Sequence, residues 1–435
     1  MKRYFTVSLM LLFLLLTGCS LFQPGELYCL PEAPEDYYDL QEALRSVLDE
    51  GYSYHAPASG THRETVQLLD LNGDGTDEAV AFFRRNQDGA VKCYIFSKQD
   101  GVYRESAVID CTGSGVASVE YADLDGSGNL ELLLSCQVSQ TVPQALQICR
   151  YDGKEAQNLM TIPCSRYALP ALGAQGETYL MCFTDNGTDS CTVGCYRLLD
   201  GALALEIQED LSGSYAQLVD MQEIRLEDGT PALAVTSDLD EGQRAYDVLT
   251  LLDGRIAKVQ SHVLRSEGAR GYALYPQDID QDGKTELPQT QAMAPYDEGS
   301  AAQSLVLWYG LSSDGTPEQK AVTYYDFRGA WYLRLPDSWL GNILVKQSDT
   351  ADGDRSVSQA IFYRLDDSGK AGEPLLTVYT LKGSGQQEYA EQQGLSVLYS
   401  STDVLYAVSI NEEAALWEGT VTMNQVSDGF QPLEQ

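Results

Sequence analysis

The sequence is poor in histidine and in basic residues, and both shortages narrow its possible functions. Its 435 residues include three histidines, and 28 lysines and arginines stand against 64 aspartates and glutamates, so the formal net charge is −36. Binding to nucleic acid and adsorption to anionic lipid both depend on lysine and arginine, and we therefore expect neither. An acidic surface is compatible with solubility and with calcium binding.

Catalytic motifs are missing as well. The chain contains no GxSxG, HExxH or P-loop motif. No CxxC pair and no cluster of histidine and cysteine predicts a zinc site. His262 lies in an alternating, strand-like stretch, which is typical of a structural residue rather than of a general base. The sequence therefore favours a non-enzymatic function over an enzymatic one.

The apolar run at the N-terminus is too short to span a membrane and predicts export. It covers residues 4–16, follows Lys2 and Arg3, and falls below the roughly 20 residues that a spanning helix needs. It ends in Leu16-Thr17-Gly18-Cys19, which resembles a bacterial lipobox. The resemblance implies a signal peptide over residues 1–18 and a diacylglyceryl anchor at Cys19. The protein would then be held at the extracytoplasmic face of the cell membrane; an ordinary signal peptide is the alternative.

The segment between the anchor and the main domain divides into two parts. Residues 19–34 contain prolines and little periodicity, which predicts an extended tether. Residues 35–51 predict one amphipathic helix, because Leu40, Leu44 and Val47 recur at helical spacing. After residue 65 we expect no further helix.

Ten cysteines allow two interpretations. Cys19 would carry lipid and Cys29 lies in the tether, while the other eight fall between Cys93 and Cys195. Export permits disulfides, and three pairs flank turns almost symmetrically, so they are candidate disulfides: Cys93 with Cys111, Cys136 with Cys149, and Cys182 with Cys195. Buried free thiols are the alternative, and the sequence leaves both open.

Three acidic loops share one spacing. They are loop 1 (Asp70–Glu78), loop 2 (Asp123–Glu131) and loop 3 (Asp278–Glu286), and each has an oxygen-bearing side chain at positions 1, 3 and 5, glycine at position 6 and glutamate at position 9. Calcium takes six to eight oxygen ligands in flexible geometry, and position 7 can add a backbone carbonyl. β-type runs rather than helices flank the loops, so each loop belongs to a hairpin rather than to an EF-hand.

The predicted structural Ca²⁺ ligands are Asp70, Asn72, Asp74, Thr76 and Glu78 in loop 1, Asp123, Asp125, Ser127, Asn129 and Glu131 in loop 2, and Asp278, Asp280, Asp282, Lys284 and Glu286 in loop 3. Loop 2 has Ser127 at position 5 and therefore one carboxylate fewer than loop 3, so we expect it to bind more weakly. The alternative for any one loop is an acidic, glycine-containing surface turn.

The loops recur with a period of about 53 residues. Loop 2 begins 53 residues after loop 1, and loop 3 begins 155 residues later, close to three further steps. Two degenerate copies fit the gap, reduced loop A (Leu172–Leu180) and reduced loop B (Leu226–Leu233), and neither keeps enough ligands for metal. Seven outer turns give a second measure of the period; they are Asp100-Gly101, Asp152-Gly153, Asp200-Gly201, Asp253-Gly254, Asp314-Gly315, Asp367-Ser368-Gly369 and Asp428-Gly429.

Four short strands fit into each period, which predicts an all-β fold. Radial repetition of such units gives a β-propeller, most simply with seven four-stranded blades over residues 52–435; an elongated β solenoid is the alternative. In the first unit the strands read Thr65–Leu69, Glu78–Phe83, Val91–Ser97 and Tyr103–Asp110. We expect a last blade from Leu405–Ile410, Gly419–Met423 and Phe430–Leu433, with residues 52–65 completing it.

The motif DxNxDGxxE between two strands, repeated about every 50 residues, resembles the FG-GAP or VCBS repeat of integrin-α-like propellers. Together with the lipobox, it is similar to VCBS-repeat lipoproteins of Gram-positive gut bacteria. The resemblance implies calcium at the motif positions, where the metal stiffens hairpins on one face and the ligand site lies elsewhere.

An aromatic cluster gives a weaker hint of a binding surface. Its members are Trp308, Tyr309, Tyr324, Tyr325, Phe327, Trp331, Tyr332 and Trp339. Exposed aromatic residues would suit a glycan or a protein partner, whereas strand packing is the alternative. We expect a cell-surface binding or scaffolding module for a glycan or an envelope protein. A polysaccharide-active enzyme with carboxylates in a central funnel and a purely structural envelope protein are the alternatives.

Overall fold

The structure is a computed structural model that describes residues 35–138, 144–164, 166–173, 176–187, 190–266, 274–297, 303–352, 354–411, 417 and 419–433. The predicted signal peptide, Cys19, Cys29 and the tether lie outside these residues. Within them, no helix is long and apolar enough to cross a membrane. The chain divides into two compact units, one made of the residues up to Tyr121 with Gly128–Thr161 and the other of Ala122–Ser127 with Ile162–Gln435.

The predicted N-terminal helix is present as α1 (Glu35–Asp49). Leu40, Leu44 and Val47 are buried, as the helical spacing predicted, and they pack with Phe83 and other residues of the first sheet. A short isolated helix is marginal in water, so this packing accounts for its stability.

The strands of the described residues form six antiparallel sheets. In the first four sheets, strands that are consecutive in the sequence pair with each other along the sheet, which is the strand order of a propeller blade. The prediction of an all-β fold of β-propeller type, built from repeated four-stranded units, is confirmed. The described residues form six sheets, where the outer turns predicted seven.

The first unit contains α1, sheet 1 and most of sheet 2. Sheet 1 consists of β1 (Tyr52–Tyr54), β2 (Val66–Leu69), β3 (Glu78–Arg85), β4 (Val91–Gln99) and β5 (Val102–Asp110), and sheet 2 of β6 (Gly115–Ala122), β7 (Glu131–Gln137), β8 (Ala145–Tyr151) and β9 (Ala156–Pro163). One core cluster joins residues of both sheets, including Leu71, Phe82, Ile95, Leu132 and Tyr151. The four strands predicted for the first repeat agree with β2 to β5 to within about two residues.

The second unit contains sheets 3 to 6. Sheet 3 consists of β10 (Arg166–Ala168), β11 (Leu180–Asp185), β12 (Cys191–Leu199) and β13 (Ala202–Asp210), and sheet 4 of β14 (Leu218–Arg225), β15 (Pro231–Asp238), β16 (Arg244–Leu252), β17 (Arg255–Lys258) and β18 (Arg265–Ser266). Sheet 5 begins with β19 (Leu287–Ala292), β20 (Ser304–Leu311), β21 (Pro317–Asp326) and β22 (Trp331–Leu335), and sheet 6 with β23 (Ile343–Asp352), β24 (Arg355–Leu365) and β25 (Ala371–Lys382). The last strands are β26 (Ser396–Ser400) and β27 (Val404–Ile410) in sheet 6, and β28 (Phe430–Pro432) in sheet 5.

The outer turns lie where the Asp-Gly signal predicts them in all six sheets. Each of the first six joins two neighbouring antiparallel strands. At Asp100-Gly101, Asp200-Gly201 and Asp253-Gly254 both residues have positive φ, which is the signature of a type I′ hairpin turn. The seventh, Asp428-Gly429, instead ends a helix.

The predicted last blade is wrong. Two helices that the sequence did not predict, α2 (Gln386–Gln392) and α3 (Met423–Gly429), interrupt this part of the chain. Strand β27 pairs with β25 and β26 in sheet 6, and β28 pairs with β22 in sheet 5. Packing decides this outcome, because Phe430 of β28 lies against Trp331 of β22 with ring centroids 5.7 Å apart.

The predicted role of residues 52–65 in completing that blade is wrong too. Strand β1 pairs with β3 inside sheet 1. The Tyr54 ring stacks on the ring of Phe83, with centroids 5.2 Å apart. Aromatic stacking next to the chain's own helix therefore holds this segment in the first repeat.

The eight described cysteines are free thiols, the second interpretation that the sequence left open. The predicted pairs are out of register, because Cys93 lies opposite Ile109, Cys136 opposite Ala145, and Cys182 opposite Gly194. Burial raises the pKa of the Cys136 thiol to about 11, so this group stays protonated and packs as a small apolar side chain.

Candidate calcium loops

Loop 1 joins β2 to β3 and turns its acidic side chains inward. The carboxylate of Asp70 accepts hydrogen bonds from the backbone N–H groups of Asp74 (3.1 Å) and Gly75 (2.8 Å). Asn72 Oδ1 accepts from the N–H of Asp74 (3.0 Å), and Asp74 Oδ1 from that of Thr76 (2.8 Å). Gly75 has φ +85°, a conformation that costs glycine little. These bonds fix the side chains of positions 1, 3 and 5 against the backbone of the loop.

Loop 3 repeats this pattern more than 200 residues later in the chain. Asp278 accepts from the N–H groups of Asp282 (3.1 Å) and Gly283 (2.9 Å). Asp280 Oδ1 accepts from the N–H of Asp282 (3.3 Å), and Asp282 Oδ1 from that of Lys284 (2.8 Å). The same spacing therefore folds in the same way in the two units.

Loop 2 has a related arrangement at its beginning. Asp123 Oδ1 accepts from the N–H groups of Gly126 (2.7 Å) and Ser127 (3.1 Å). Asp125 Oδ1 also accepts from the N–H of Ser127, at 3.1 Å. Ser127, at position 5, adds no carboxylate, as the sequence indicated.

The glutamate at position 9 closes loops 1 and 3 from a buried position at the start of a strand. Glu78 is 2% exposed and Glu286 is fully buried. The backbone N–H of Leu71 donates to Glu78 Oε2, and that of Ile279 donates to Glu286 Oε2, both at 3.0 Å. Each closing glutamate is thus tied to position 2 of its own loop.

The second oxygen of the closing glutamate differs between these two loops. Asn72 Nδ2 donates to Glu78 Oε1 at 3.4 Å. Loop 3 has Asp280 at the corresponding position, and its carboxylate side chain carries no N–H group that could donate. Glu286 Oε1 is buried without a hydrogen-bond partner among the described residues. An unpaired buried oxygen of this kind calls for a cation or a proton.

The pKa of Glu286 is raised to about 7, mainly by burial and in smaller part by the neighbouring Asp280, Asp282 and Asp278, while the hydrogen bond from the Ile279 N–H acts in the opposite direction. Burial likewise raises the pKa of Glu78 to about 7, with contributions from Asp74 and Asp70 in the same direction. Both carboxyls therefore lie where a negative charge is costly unless a positive charge lies beside it.

Loop 3 brings its carboxylates closest together. One oxygen from each of Asp278, Asp280 and Glu286 lies within 4.8 Å of the other two. Oxygen donors from carboxylates, arranged in a flexible loop, match the preference of a hard cation such as Ca²⁺. The residues present in loop 3 fit the predicted ion; loop 1 has the same pattern of backbone hydrogen bonds but an amide, Asn72, in place of one carboxylate.

Loop 2 differs at its closing glutamate. Arg150 Nε and Nη2 both lie 2.7 Å from Glu131 Oε1, and Glu131 is fully buried. The guanidinium already neutralises the carboxylate that would close this loop.

The glutamate of reduced loop B is paired with two lysines that lie outside the loop. Glu227 Oε1 accepts from Lys320 Nζ (2.6 Å) and Lys284 Nζ (3.0 Å). Although burial acts in the opposite direction, these two lysines hold the pKa of Glu227 below its usual range. Lys284, predicted as a calcium ligand through its backbone, thus also connects loop 3 to reduced loop B.

A cleft of about 770 Å³ in the second unit adds a feature that sequence reasoning missed. Gly173 of reduced loop A, Asp228 of reduced loop B and Thr285 of loop 3 all line it, together with the exposed Glu223 and Arg225. The Thr285 N–H donates to the Arg225 carbonyl at 2.9 Å and joins two of these walls. The sequence signal for this cleft was weak: reduced loops A and B fall at the same position of the repeat as the calcium loops.

The aromatic cluster is largely core. Trp308, Tyr324, Trp331 and Trp339 are fully buried, and of the cluster only Phe327 is exposed. The strand-packing alternative holds for these residues, and the cluster offers no broad aromatic surface for a sugar.

Comparisons with known proteins agree with the repeat motif. Residues 70–134 match the model of the FG-GAP-like repeat family, which confirms the predicted resemblance for the segment that holds loops 1 and 2. No curated protein matches the chain.

Three solved structures resemble the chain at low identity. A protein from Lactobacillus plantarum is 10% identical, with 72% of this chain and 84% of that chain covered and a TM-score of 0.26. Rhamnogalacturonan lyase YesW is 14% identical, with coverage of 82% and 72% and a TM-score of 0.30. The Dos1 propeller is 9% identical, with coverage of 82% and 81% and a TM-score of 0.28.

Proposed function

We propose that the protein is a calcium-stabilised, lipid-anchored module of the cell surface that binds or scaffolds a glycan or an envelope protein. The observation that carries the calcium part is loop 3, where three carboxylates converge and Glu286 Oε1 is buried without a partner among the described residues. Asp278, Asp280, Asp282 and Glu286 would hold the ion, with the Lys284 carbonyl completing the set. A bound Ca²⁺ supplies positive charge and rigidity to the hairpin and takes part in no reaction.

The calcium proposal is tested by thermal unfolding with a matched pair of variants. Asp282 and Asp314 each accept one hydrogen bond from the N–H two residues on (2.8 and 2.9 Å). Asp282→Ala removes this bond, an ion pair with Lys284 Nζ at 3.8 Å and a proposed calcium ligand, whereas Asp314→Ala removes a bond of the same kind without removing a proposed ligand. Since a ligand of the native state raises its stability, millimolar calcium should raise the Tm of the wild type and of Asp314→Ala more than that of Asp282→Ala. An equal calcium-induced rise in Tm in all three proteins would contradict the proposal.

The anchor is tested separately in the native host. The proposal rests on Leu16-Thr17-Gly18-Cys19. Cys19→Ser removes the sulfur that would take the diacylglyceryl group, so the protein should move from the detergent-soluble membrane fraction to the aqueous fraction. Cys29→Ser, ten residues further on, is the control and should stay with the membrane. Membrane retention of Cys19→Ser would refute the anchor while leaving the calcium proposal intact.

The binding role is tested by retention of native envelope components on the protein. Residues 20–435, immobilised through the N-terminus, are exposed to solubilised envelope with calcium or with chelator. We expect the cleft beside Arg225 to form part of the contact, so Arg225→Glu should lose the retained component, while the exposed Arg104→Glu of sheet 1 should keep it. Retention of nothing by a folded protein would contradict the binding module. Cleavage of an added polysaccharide would favour the enzymatic alternative, for which the buried aromatic cluster gives no support.

A further inference from the structure

We propose that loop 2 takes no calcium ion of its own, because the Arg150 guanidinium permanently occupies the role that the metal plays in loops 1 and 3. The inference rests on the calcium binding proposed above. Of the three loops that share the motif, loops 1 and 3 would thus depend on a metal ion, whereas loop 2 would use the positive charge of Arg150.

The strand register explains why loop 2 differs. The closing glutamate begins the second strand of the hairpin in loops 1 and 2 and directly precedes it in loop 3, and the residue opposite it lies on the next strand. From the pairs Ala79 with Phe96, Leu132 with Cys149 and Leu287 with Tyr309, one further step places Ser97 opposite Glu78, Arg150 opposite Glu131, and Gly310 opposite Glu286. Arginine therefore lies opposite the glutamate in loop 2, whereas the opposing residue in loops 1 and 3 has no charge.

Arg150 and Glu131 form a short, buried ion pair. Nε and Nη2 both lie 2.7 Å from the same carboxylate oxygen. The glutamate side chain is fully buried, while that of Arg150 is 20% exposed. Charge-assisted bonds of this length to a buried carboxylate are among the strong ones, and loss of either partner leaves an uncompensated charge. A divalent cation that approached Glu131 would also be repelled by the guanidinium.

The closing glutamates of loops 1 and 3 have no such partner among the described residues, since neither Glu78 nor Glu286 makes an ion pair with a lysine or arginine side chain there. The basic residue of loop 3, Lys284, pairs with Glu227 and Asp282 instead.

Reduced loop B shows a related charge pairing at a different position. Its Glu227 lies in the turn, four residues before Pro231, which begins the second strand of the hairpin. The Glu227 side chain is 14% exposed, and its Oε1 accepts from the ammonium groups of Lys284 and Lys320. Here, as in loop 2, a basic side chain neutralises a largely buried glutamate.

Calcium stoichiometry tests the inference directly. Equilibrium dialysis of the full chain against millimolar calcium should give one ion for loop 1 and one for loop 3. Glu286→Gln should remove one ion, and Glu131→Gln should remove none. If the wild type binds an ion in all three loops and Glu131→Gln removes one, the inference fails while the proposed function stands. If the wild type binds no calcium and Glu286→Gln changes nothing, the proposed function itself fails.

A series of charge-removing variants provides a second test, which does not depend on counting bound calcium ions. Arg150→Met leaves Glu131 buried and uncompensated, whereas the double variant Glu131→Gln with Arg150→Met removes both charges; Arg104→Met is the control for loss of an exposed arginine. In chelator, Arg150→Met should melt below the other two variants, and added calcium should raise its Tm more than theirs, because Glu131 becomes available to the metal. If Arg150→Met fails to fold while the double variant folds, the need for a cation at Glu131 is supported. An Arg150→Met protein that melts like Arg104→Met with and without calcium would overturn the inference.

Discussion

At the scale of single residues, two buried tryptophans of the second unit each have a threonine hydroxyl as hydrogen-bond acceptor. The indole N–H of Trp308 donates to Thr323 Oγ1 at 2.8 Å, and that of Trp331 donates to Thr380 Oγ1 at 3.1 Å. Trp308, Thr323 and Trp331 are fully buried. The acceptor is a threonine of the neighbouring strand β21 in the first pair and of β25, in sheet 6, in the second, so these cores depend on the hydroxyl as well as on apolar contact.

Thr323→Val should therefore destabilise the protein. Valine has nearly the shape of threonine but leaves the Trp308 N–H buried without an acceptor, which costs about 1–3 kcal/mol in the free energy of unfolding. Thr323→Ser keeps the hydroxyl and is the control; it should lose less than the valine variant although it also lacks a methyl group. Urea unfolding followed by fluorescence measures both. A valine variant as stable as the wild type would show that the hydroxyl is dispensable.

At the scale of elements, the sequence predicted what depends on local chemistry. The Asp-Gly turns were located because positive φ at Asp100 and Gly101 is a property of those two residues alone. The strands of the first repeat and the inward side chains of loop 3 followed from spacing for the same reason. The helix α3 also had a local signal that was overlooked, the capping box formed by Thr422 and Gln425.

What the sequence did not predict depends on partners far away in the chain. Strand β28 joins sheet 5 because Phe430 packs on Trp331, about 100 residues earlier. The Arg150 contact of loop 2 depends on the register of β7 and β8 rather than on the loop motif. A motif specifies which atoms a loop presents, whereas the opposing strand decides whether their charge is already neutralised.

Two outer-turn glycines should respond differently to the same substitution. Gly254 has φ +75° and open space where a Cβ would lie, whereas Gly315 has φ +88° and a Cβ there would overlap the backbone carbonyl oxygen of Gln260. Gly254→Ala should lower the free energy of unfolding by about 1–2 kcal/mol, the cost of holding alanine in the left-handed conformation. Gly315→Ala adds a clash with backbone and should cost at least about 1 kcal/mol more. Urea midpoints of the two variants decide this, and equal losses would place the effect in the turn conformation alone.

At the scale of the whole molecule, the main feature is a large excess of negative charge. With 64 acidic against 28 basic residues, the folded chain concentrates a formal charge of −36. Self-repulsion of this kind destabilises a compact state, and salt screens it over a Debye length of about 10 Å at 0.1 M. We therefore expect calcium to act on this protein in two ways, as a general screening ion and as the proposed ligand of loops 1 and 3.

Three salts at matched ionic strength separate the two effects. Sodium chloride should raise the Tm in the presence of chelator, because screening needs no site. Magnesium chloride should exceed it only modestly, since Mg²⁺ demands near-octahedral geometry and gives up its waters reluctantly. Calcium chloride should add a further increment that Asp282→Ala reduces and Asp314→Ala keeps. Equal increments from magnesium and calcium would assign the whole effect to screening, whereas a calcium increment that survives high sodium chloride would assign it to the buried glutamates, which bulk salt reaches least.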